Sequence, residues 1–277
     1  SRDVIQKFFA QPDDILVTFN GKTFDIPLLR TRYVLNRLPS TLSENLHLDM
    51  LHISRRLWRK TLESCALKDL EREILTLQRS EDEVPGWMVP EIYFDYLRTG
   101  ETKLLTNVIY HNEQDVVSLA ALFLHVSELF EKIIELEGIP VPELLALARI
   151  YTDIHVLDVA ESLYRKSISL QMNGSDQSQA NYNLGMLIKS KSGSQAAIMY
   201  WKTAAENEHF DACIELSMVY EHQVRDLVES RKWAEKALSL LDRNRVGSNS
   251  SVRKDLLHRL SRIQQKESNH VPTQDQG

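Results

Sequence analysis

Residues 15–25 read ILVTFNGKTFD and contain the pattern on which the fold assignment rests. Residues 15–19 form a short run of apolar and β-branched side chains, which is typical of a buried strand. The pair Asn20-Gly21 favours a tight turn directly after that strand. Asp25 is a residue type favoured at helix N-caps, so the segment predicts a strand, a turn and a helix in succession.

A second strand is predicted over residues 45–51, NLHLDML, because apolar and polar side chains alternate there. The helix expected after it carries four cations on one face: Arg55, Arg56, Arg59 and Lys60. From there to residue 138 the pattern is helical apart from a polar, proline-bearing loop at residues 79–90, with one helix ending at Gly100 and an interruption expected around residues 110–112. Alternating strands and helices favour an α/β layer architecture.

The composition is that of an ordinary globular protein, since 43% of the 277 residues are hydrophobic and 26% are charged. The net charge of -6 disfavours a broadly cationic surface, so any contact with nucleic acid is expected to be local. The acidic excess lies in residues 1–138, which hold 16 Lys and Arg against 22 Asp and Glu.

Two cysteines, Cys65 and Cys213, are too few for a disulfide framework or a zinc site. No apolar run has the length of a membrane span, and we expect a cytoplasmic protein.

Residues 141–245 repeat with a period of about 34 residues, which is the signature of paired-helix repeats. Small, apolar and aromatic residues recur at matching places in three copies: Leu147, Ala148, Tyr151, Ala160 and Tyr164; Leu184, Gly185, Ala197, Trp201 and Ala204; Leu216, Tyr220, Trp233 and Ala237. This pattern resembles the tetratricopeptide family. An unrelated helical bundle is the alternative interpretation.

The resemblance implies an all-α solenoid over residues 139–266 that binds a protein or peptide partner. Two prolines in IPVPE, directly after Gly138, predict a domain boundary there. Residues 253–266 are expected to form the amphipathic helix that closes the stack. Residues 267–277 have no apolar periodicity and are predicted to be disordered.

Two acidic segments, FNGKTFD at residues 19–25 and HNEQDV at residues 111–116, resemble the second and third motifs of the DEDD exonuclease superfamily. Together with LHLDML and the loop RSEDEVPG, the series is similar to the YprB-type ribonuclease H-like branch of that superfamily. The resemblance covers residues 1 to about 130 and implies a ribonuclease H-like domain over residues 1–138.

In that superfamily, four carboxylates hold two divalent ions, Mg²⁺ or Mn²⁺. The resemblance implies that Asp25 and Asp115 are catalytic metal ligands and that both lie at helix beginnings. His111 would position or deprotonate the attacking water, with Tyr110 as the competing candidate. The residues implied to contact substrate are Asn20, Gly21, Phe24 and Asn112.

Each of these residues also has a purely structural interpretation. Asp25 could serve only as an N-cap, and Asn112 with Asp115 resembles a capping box. The four cations could contact phosphate, with Trp58 stacking on a base, or form a solvated helix face. Asp49 is expected to be structural.

The first motif of the superfamily, Asp-x-Glu on the opening strand, is not found before Ile15, and Asp13-Asp14 does not match it. The chain opens with Ser1 in a helical pattern, so we expect an N-terminally truncated domain that lacks its first strands, has an incomplete metal site and is inactive alone. The implied function is metal-dependent 3′-to-5′ exonucleolytic hydrolysis of single-stranded DNA or RNA. The alternative is a non-enzymatic scaffold that combines a degenerate nuclease fold with protein-binding repeats.

Overall fold

The computed structural model describes residues 15–38, 46–77, 86–131, 133, 138–170, 173–243 and 250–269. The chain divides into two compact units, residues 1–137 and residues 138–277. The helical pattern predicted at the N-terminus and residues 79–85 of the predicted loop lie outside the described residues, whereas residues 86–90 of that loop form a 3₁₀ turn and the start of a helix.

A two-stranded parallel sheet lies in the described part of the N-terminal unit. Strand β1 (Ile15–Thr18) pairs with strand β2 (Leu46–Asp49) along its whole length. Both strands were predicted. The register places Thr18 beside Asp49, so the carboxyl ends of the two strands meet at one edge.

Helix α1 (Asp25–Leu35) packs against β1. A small apolar cluster makes this contact; its residues are Ile26, Tyr33 and Leu38, with Leu16 and Leu29 partly buried against it. The helix ends at Leu35, because the chain turns at Asn36 and at Arg37, whose φ is 53°.

Four further helices complete the described part of this unit: α2 (Met50–Trp58), α3 (Leu67–Glu73), α4 (Val89–Thr99) and α5 (Lys103–Glu131), with a short 3₁₀ turn at Gly86–Met88 before α4. Helix α4 ends at Gly100, as predicted, with φ 76° in the left-handed region that glycine adopts easily. Helices α2, α3 and α4 all contact α5.

Helix α5 runs for 29 residues without a break, so the interruption predicted around residues 110–112 is wrong. The polar run HNEQD suggested a loop, but it contains neither proline nor glycine. Ser118, Leu122, Val126 and Leu129 lie on the buried face, at helical spacing. The polar stretch continues directly into that buried part of the helix.

The C-terminal unit is helical in its described parts. Its helices are α6 (Val141–Asp153), α7 (Leu157–Ser169), α8 (Gly174–Ser192), α9 (Ser194–Glu206), α10 (Phe210–Val219), α11 (Leu227–Arg243) and α12 (Ser250–Asn269), with a π turn at Tyr220–Val224. Each helix contacts the next one along the chain. Helix α12 extends three residues into the segment predicted to be disordered.

The predicted packing positions of this unit are buried, except that Tyr151 is only partly so. Trp201 is fully buried and lies directly against Gly185, where an added Cβ would come within 2.4 Å of Trp201 Nε1. A small residue is therefore required at that point for α8 and α9 to pack. Assignment to the tetratricopeptide family itself stays a prediction.

A buried carboxylate ties α12 to the π turn. The Glu221 side chain has no exposed area. It accepts hydrogen bonds from Arg262 at 2.7 and 2.8 Å, from Lys266 at 2.7 Å and from Arg259 at 3.4 Å. Through these contacts, three cations of one helix converge on a single carboxylate.

Among the described helices, none is both long and apolar enough to cross a membrane.

Candidate functional site

The turn between β1 and α1 is held by a buried carboxylate from the neighbouring strand. Asp49, the last residue of β2, is only 2% exposed. Its Oδ1 accepts the backbone N–H of Asn20 at 2.8 Å, and its Oδ2 accepts that of Lys22 at 3.0 Å. Oδ1 also accepts the N–H of Leu51 at 3.2 Å, which caps α2. Asp49 is therefore structural, as predicted, and it fixes the position of the turn.

The turn itself depends on Asn20 and Gly21. Asn20 has φ 63°, a left-handed conformation that asparagine tolerates better than most residues. Gly21 is buried, and a Cβ there would lie 2.5 Å from the Thr18 side chain. The backbone carbonyls of these two turn residues accept the N–H groups of Phe24 and Ile26. The first turn of α1 is thus anchored by the backbone.

Asp25 is the first residue of α1 and not its N-cap, so the N-cap interpretation is wrong. Phe24 occupies the cap position, and no side chain makes a capping hydrogen bond there. The turn carbonyls already accept the N–H groups that a cap would satisfy. Asp25 is exposed in the first helical turn, where the helix dipole favours a carboxylate.

A pocket of about 570 Å³ opens beside this turn. It is formed by the β1–α1 turn, one face of α2 and the segment that leads into α3. Its lining residues are Phe19, Asn20, Phe24, Asp25, Leu51, Arg55, Ser64, Cys65, Ala66 and Leu67. The pocket brings together three of the predicted site residues, namely Asn20, Phe24 and Asp25.

The other predicted site residues lie on α5. His111 Nε2 is 3.6 Å from Asp115 Oδ2, and the two side chains are 29% and 38% exposed. Their spacing of four residues is that of side chains on one helix face. Asn112 and Tyr110 are exposed on the same helix. Asn112 and Asp115 therefore lie in the middle of α5. The prediction that Asp115 begins a helix is wrong, and so is the interpretation of Asn112 and Asp115 as a capping box.

The described residues do not assemble a complete metal site. Asp25 lines the pocket, whereas His111 and Asp115 are not among its described lining residues. Within the ranges that the structure describes, no group of three or more His, Cys, Asp or Glu side chains could hold a metal ion. Asp25 and Asp115 by themselves do not fit the four-carboxylate set that the resemblance implies.

The four cations predicted for one helix face are not equivalent. Arg55 and Arg56 lie in the last turn of α2, whereas Arg59 and Lys60 follow its end. Only Arg55 is among the residues that line the pocket. Trp58 is 1% exposed and its ring lies 6.2 Å from that of His125, so the predicted stacking of Trp58 on a base is wrong. Its place on the inner face of α2 explains why it is buried.

Two ionisable groups near the turn are shifted by their surroundings. Burial raises the pKa of the Cys65 thiol, and the nearby charges of Arg55 and Arg59 partly offset this rise. Burial also lowers the pKa of His47, helped by the charge of Lys22. His47 Nε2 lies 2.7 Å from Thr18 Oγ1, which links the two strands beneath the turn. The sequence did not predict that Cys65 lines the pocket, because this residue belongs to a segment that is distant in sequence from the β1–α1 turn.

The comparison with protein families agrees with this geometry. Residues 1–127 match the RNase_H superfamily. The N-terminal part of the chain is therefore an RNase H-like domain, and a largely helical region follows it. The fold class predicted for the N-terminal domain is confirmed at this level.

One relative is similar to this chain over most of its length. The "Uncharacterized protein YprB" of Bacillus subtilis (strain 168) is 34% identical over 247 residues, which are 84% of this chain and 57% of YprB. This similarity supports the resemblance to the YprB-type branch. The chain thus spans a little over half the length of this relative.

Proposed function

We propose that the RNase H-like domain belongs to a metal-dependent exonuclease that removes nucleotides from the 3′ end of single-stranded nucleic acid. The observation that carries the proposal is the position of Asp25. It begins a helix shortly after the Asn20-Gly21 turn, which Asp49 holds in place, and it lines a pocket. This arrangement agrees with the role that the DEDD resemblance gives to the second motif.

The pair on α5 gives the proposal its second part. His111 and Asp115 share one helix face and are both partly exposed, so solvent and substrate can reach them. In the proposed reaction, His111 orients or accepts a proton from the attacking water. Asp115 Oδ2 lies 3.6 Å from His111 Nε2, close enough to influence the orientation of that imidazole.

The proposed metal site requires more carboxylates than the described residues bring together at one place. Mg²⁺ and Mn²⁺ bind oxygen ligands such as carboxylates, and the resemblance implies a site with four carboxylates. Asp25 and Asp115 would provide two. We therefore propose activity for the protein in its full natural length, and not for the described residues alone.

The C-terminal helices have a different proposed role. Three successive helix pairs begin at Val141, Gly174 and Phe210, which gives nearly equal spacing. Together with the buried small residues, this supports tetratricopeptide-like repeats. We propose that they bind a protein or peptide partner, which can be tested by comparing pull-downs with and without residues 139–277.

The nuclease proposal is tested with single-stranded DNA and RNA labelled at the 5′ end. The full-length natural protein with Mn²⁺ is expected to give a ladder that shortens stepwise from the 3′ end. Asp115→Asn is expected to abolish the ladder. Glu113→Gln, an exposed acid-to-amide change on the same helix, should leave it unchanged. No shortening by the natural protein would contradict the proposal and favour a non-enzymatic scaffold.

A further inference from the structure

Helix α12 is attached to the rest of the C-terminal unit mainly by charged side chains. It packs along α11. Within residues 251–268, whose burial is described, only Leu256 and Ile263 are buried. The ion pairs outnumber these apolar anchors; they join Arg259, Arg262 and Lys266 to Glu221, Glu267 to Arg231, and Arg253 to Asp242. A terminal helix with so little apolar burial is expected to detach at a lower free-energy cost than the helices before it.

The carboxylate that accepts three of these ion pairs belongs to the preceding helices. Glu221 lies in the π turn that follows α10, and this turn is followed by Arg225 at φ 63°. The N–H of Asp226 donates to the carbonyl of Tyr220 at 2.9 Å and closes the turn. The backbone around Glu221 is thus held by contacts that involve no residue of α12.

The surface under α12 is complementary to positive charge. With α12 in place, the Glu221 side chain has no exposed area. Outside α12, the basic side chain that the described structure places beside this carboxylate is His222, whose Nε2 lies 3.4 Å from Glu221 Oε2. A buried carboxylate without cationic partners is costly. Any helix that covers Glu221 in the same way must therefore supply cations to it.

Helix α12 itself shows which side chains fit this surface. Leu256, Arg259, Ile263 and Lys266 follow one another at intervals of three, four and three residues, so they share one helix face. The two apolar side chains are buried, and the two cations reach Glu221. A fitting helix therefore carries two apolar residues seven positions apart, each followed three positions later by a cation.

We propose that this surface, formed by Glu221 and the face of α11 that α12 covers, is a docking site for a basic amphipathic helix of a partner protein. In the free protein, α12 occupies the site as an exchangeable internal ligand. The inference rests on the proposed function of the C-terminal helices and adds the place of the contact and the chemistry of the partner. A partner helix displaces α12, so the ion pairs of α12 set the threshold for binding.

The first test uses the whole 277-residue chain and a fluorescein-labelled peptide with the sequence of residues 250–269. Fluorescence anisotropy is expected to show saturable binding that weakens between roughly 50 mM and 500 mM salt, since salt screens the ion pairs. A peptide with Arg262→Gln and Lys266→Gln should bind at least about tenfold more weakly. The matched control peptide carries Arg253→Gln and Lys254→Gln, which remove the same charge from exposed positions, and should bind almost as well as the unchanged peptide.

The second test makes the same changes in the chain and expects a gain of binding. With Arg262→Gln and Lys266→Gln in its own α12, the chain should bind the unchanged peptide at least about tenfold more tightly, because the internal competitor is weakened. Arg253→Gln with Lys254→Gln in the chain should have little effect. Hydrogen exchange should show that the peptide speeds exchange of the amides of α12 and leaves those of α6 to α9 unchanged.

The inference is overturned by a chain that binds no peptide, by equal binding of the two substituted peptides, or by a weakened α12 that brings no gain. The proposed role of the C-terminal helices can fail separately. Capture of a partner by a chain that binds no peptide would contradict only the site inferred for it. Peptide binding with the expected gain, by a chain whose residues 139–277 capture no partner, would support the site and contradict only the proposed partner.

Discussion

The carboxylate of Asp49 accepts the backbone N–H of Asn20 at 2.8 Å, across the ends of two paired strands. Lys22 and Leu51 donate to the same carboxylate. Asp49→Ala would leave three backbone donors without their acceptor in a buried place. We expect it to lower the free energy of unfolding by about 2–4 kcal/mol, measured by urea denaturation.

Two variants separate this structural role from a general effect of removing charge. Asp49→Asn keeps one acceptor oxygen and should cost less than Asp49→Ala. Asp25→Asn removes an exposed carboxylate from the first turn of α1 and should change stability by less than about 1 kcal/mol. Equal stability of Asp49→Ala and the wild type would show that the turn does not depend on this contact.

Close packing of α8 and α9 depends on Gly185. A Cβ at this position would approach Trp201 Nε1 to 2.4 Å, and Trp201 is fully buried. Gly185→Ala should destabilise the protein by about 1–3 kcal/mol despite the better helix propensity of alanine. Gly174→Ala is the matched control, because its nearest neighbour would be 3.8 Å away, and it should be neutral in thermal unfolding. A stabilising effect of Gly185→Ala would contradict this packing.

The Glu221 cluster predicts a pH-dependent stability. Burial by itself would raise the pKa of Glu221, but hydrogen bonds from Arg262 and Lys266 and the charge of His222 hold it at about 2. Since the folded-state pKa is lower than the unfolded one, the stabilisation is complete at neutral pH. It is lost as pH falls from about 4.5 toward 2.

Glu221→Gln should therefore cost roughly 3 kcal/mol at pH 7 and progressively less in acid. Urea unfolding at pH 7 and at pH 3 measures the difference. Glu235→Gln removes an exposed ion pair with Arg231 and should cost under about 1 kcal/mol at both pH values. A cost of Glu221→Gln that does not depend on pH would rule out the ionised carboxylate as its cause.

His111 and Tyr110 compete for the same proposed role, and kinetics can distinguish them. If His111 acts on the attacking water, His111→Ala should lower kcat by about 10²–10⁴ with little change in KM. Tyr110→Phe should then have little effect, since Tyr110 is exposed and adjacent residues of a helix do not share a face. The reverse ranking in a steady-state assay would assign the role to Tyr110.

Local patterns in the sequence predicted the elements that carry the site. The strand, the Asn-Gly turn and the helix at Asp25 follow from β-branched residues, turn residues and apolar spacing within a few positions. The buried positions of the C-terminal helices also follow from the repeat, because small residues at fixed spacing indicate where helices meet.

Long-range contacts were not predictable in the same way. The polar run HNEQD is helical within α5 although none of its residues is among the buried ones, so apolar spacing in the run itself does not reveal the helix. Likewise, Cys65 reaches the pocket only because the chain folds back after α2. Trp58 is buried and so cannot stack on a base, whereas the exposed ring of Phe24 lines the pocket.

We propose that Asp25 and Asp115 bind one shared metal site in the full-length natural protein. Calorimetric titration with Mn²⁺ of the wild type, Asp25→Asn, Asp115→Asn and the double variant tests it without requiring turnover. One shared site predicts that either single change weakens binding by at least about tenfold and that the double change adds little more. Binding that is unchanged in the single variants, or losses that add independently, would contradict it.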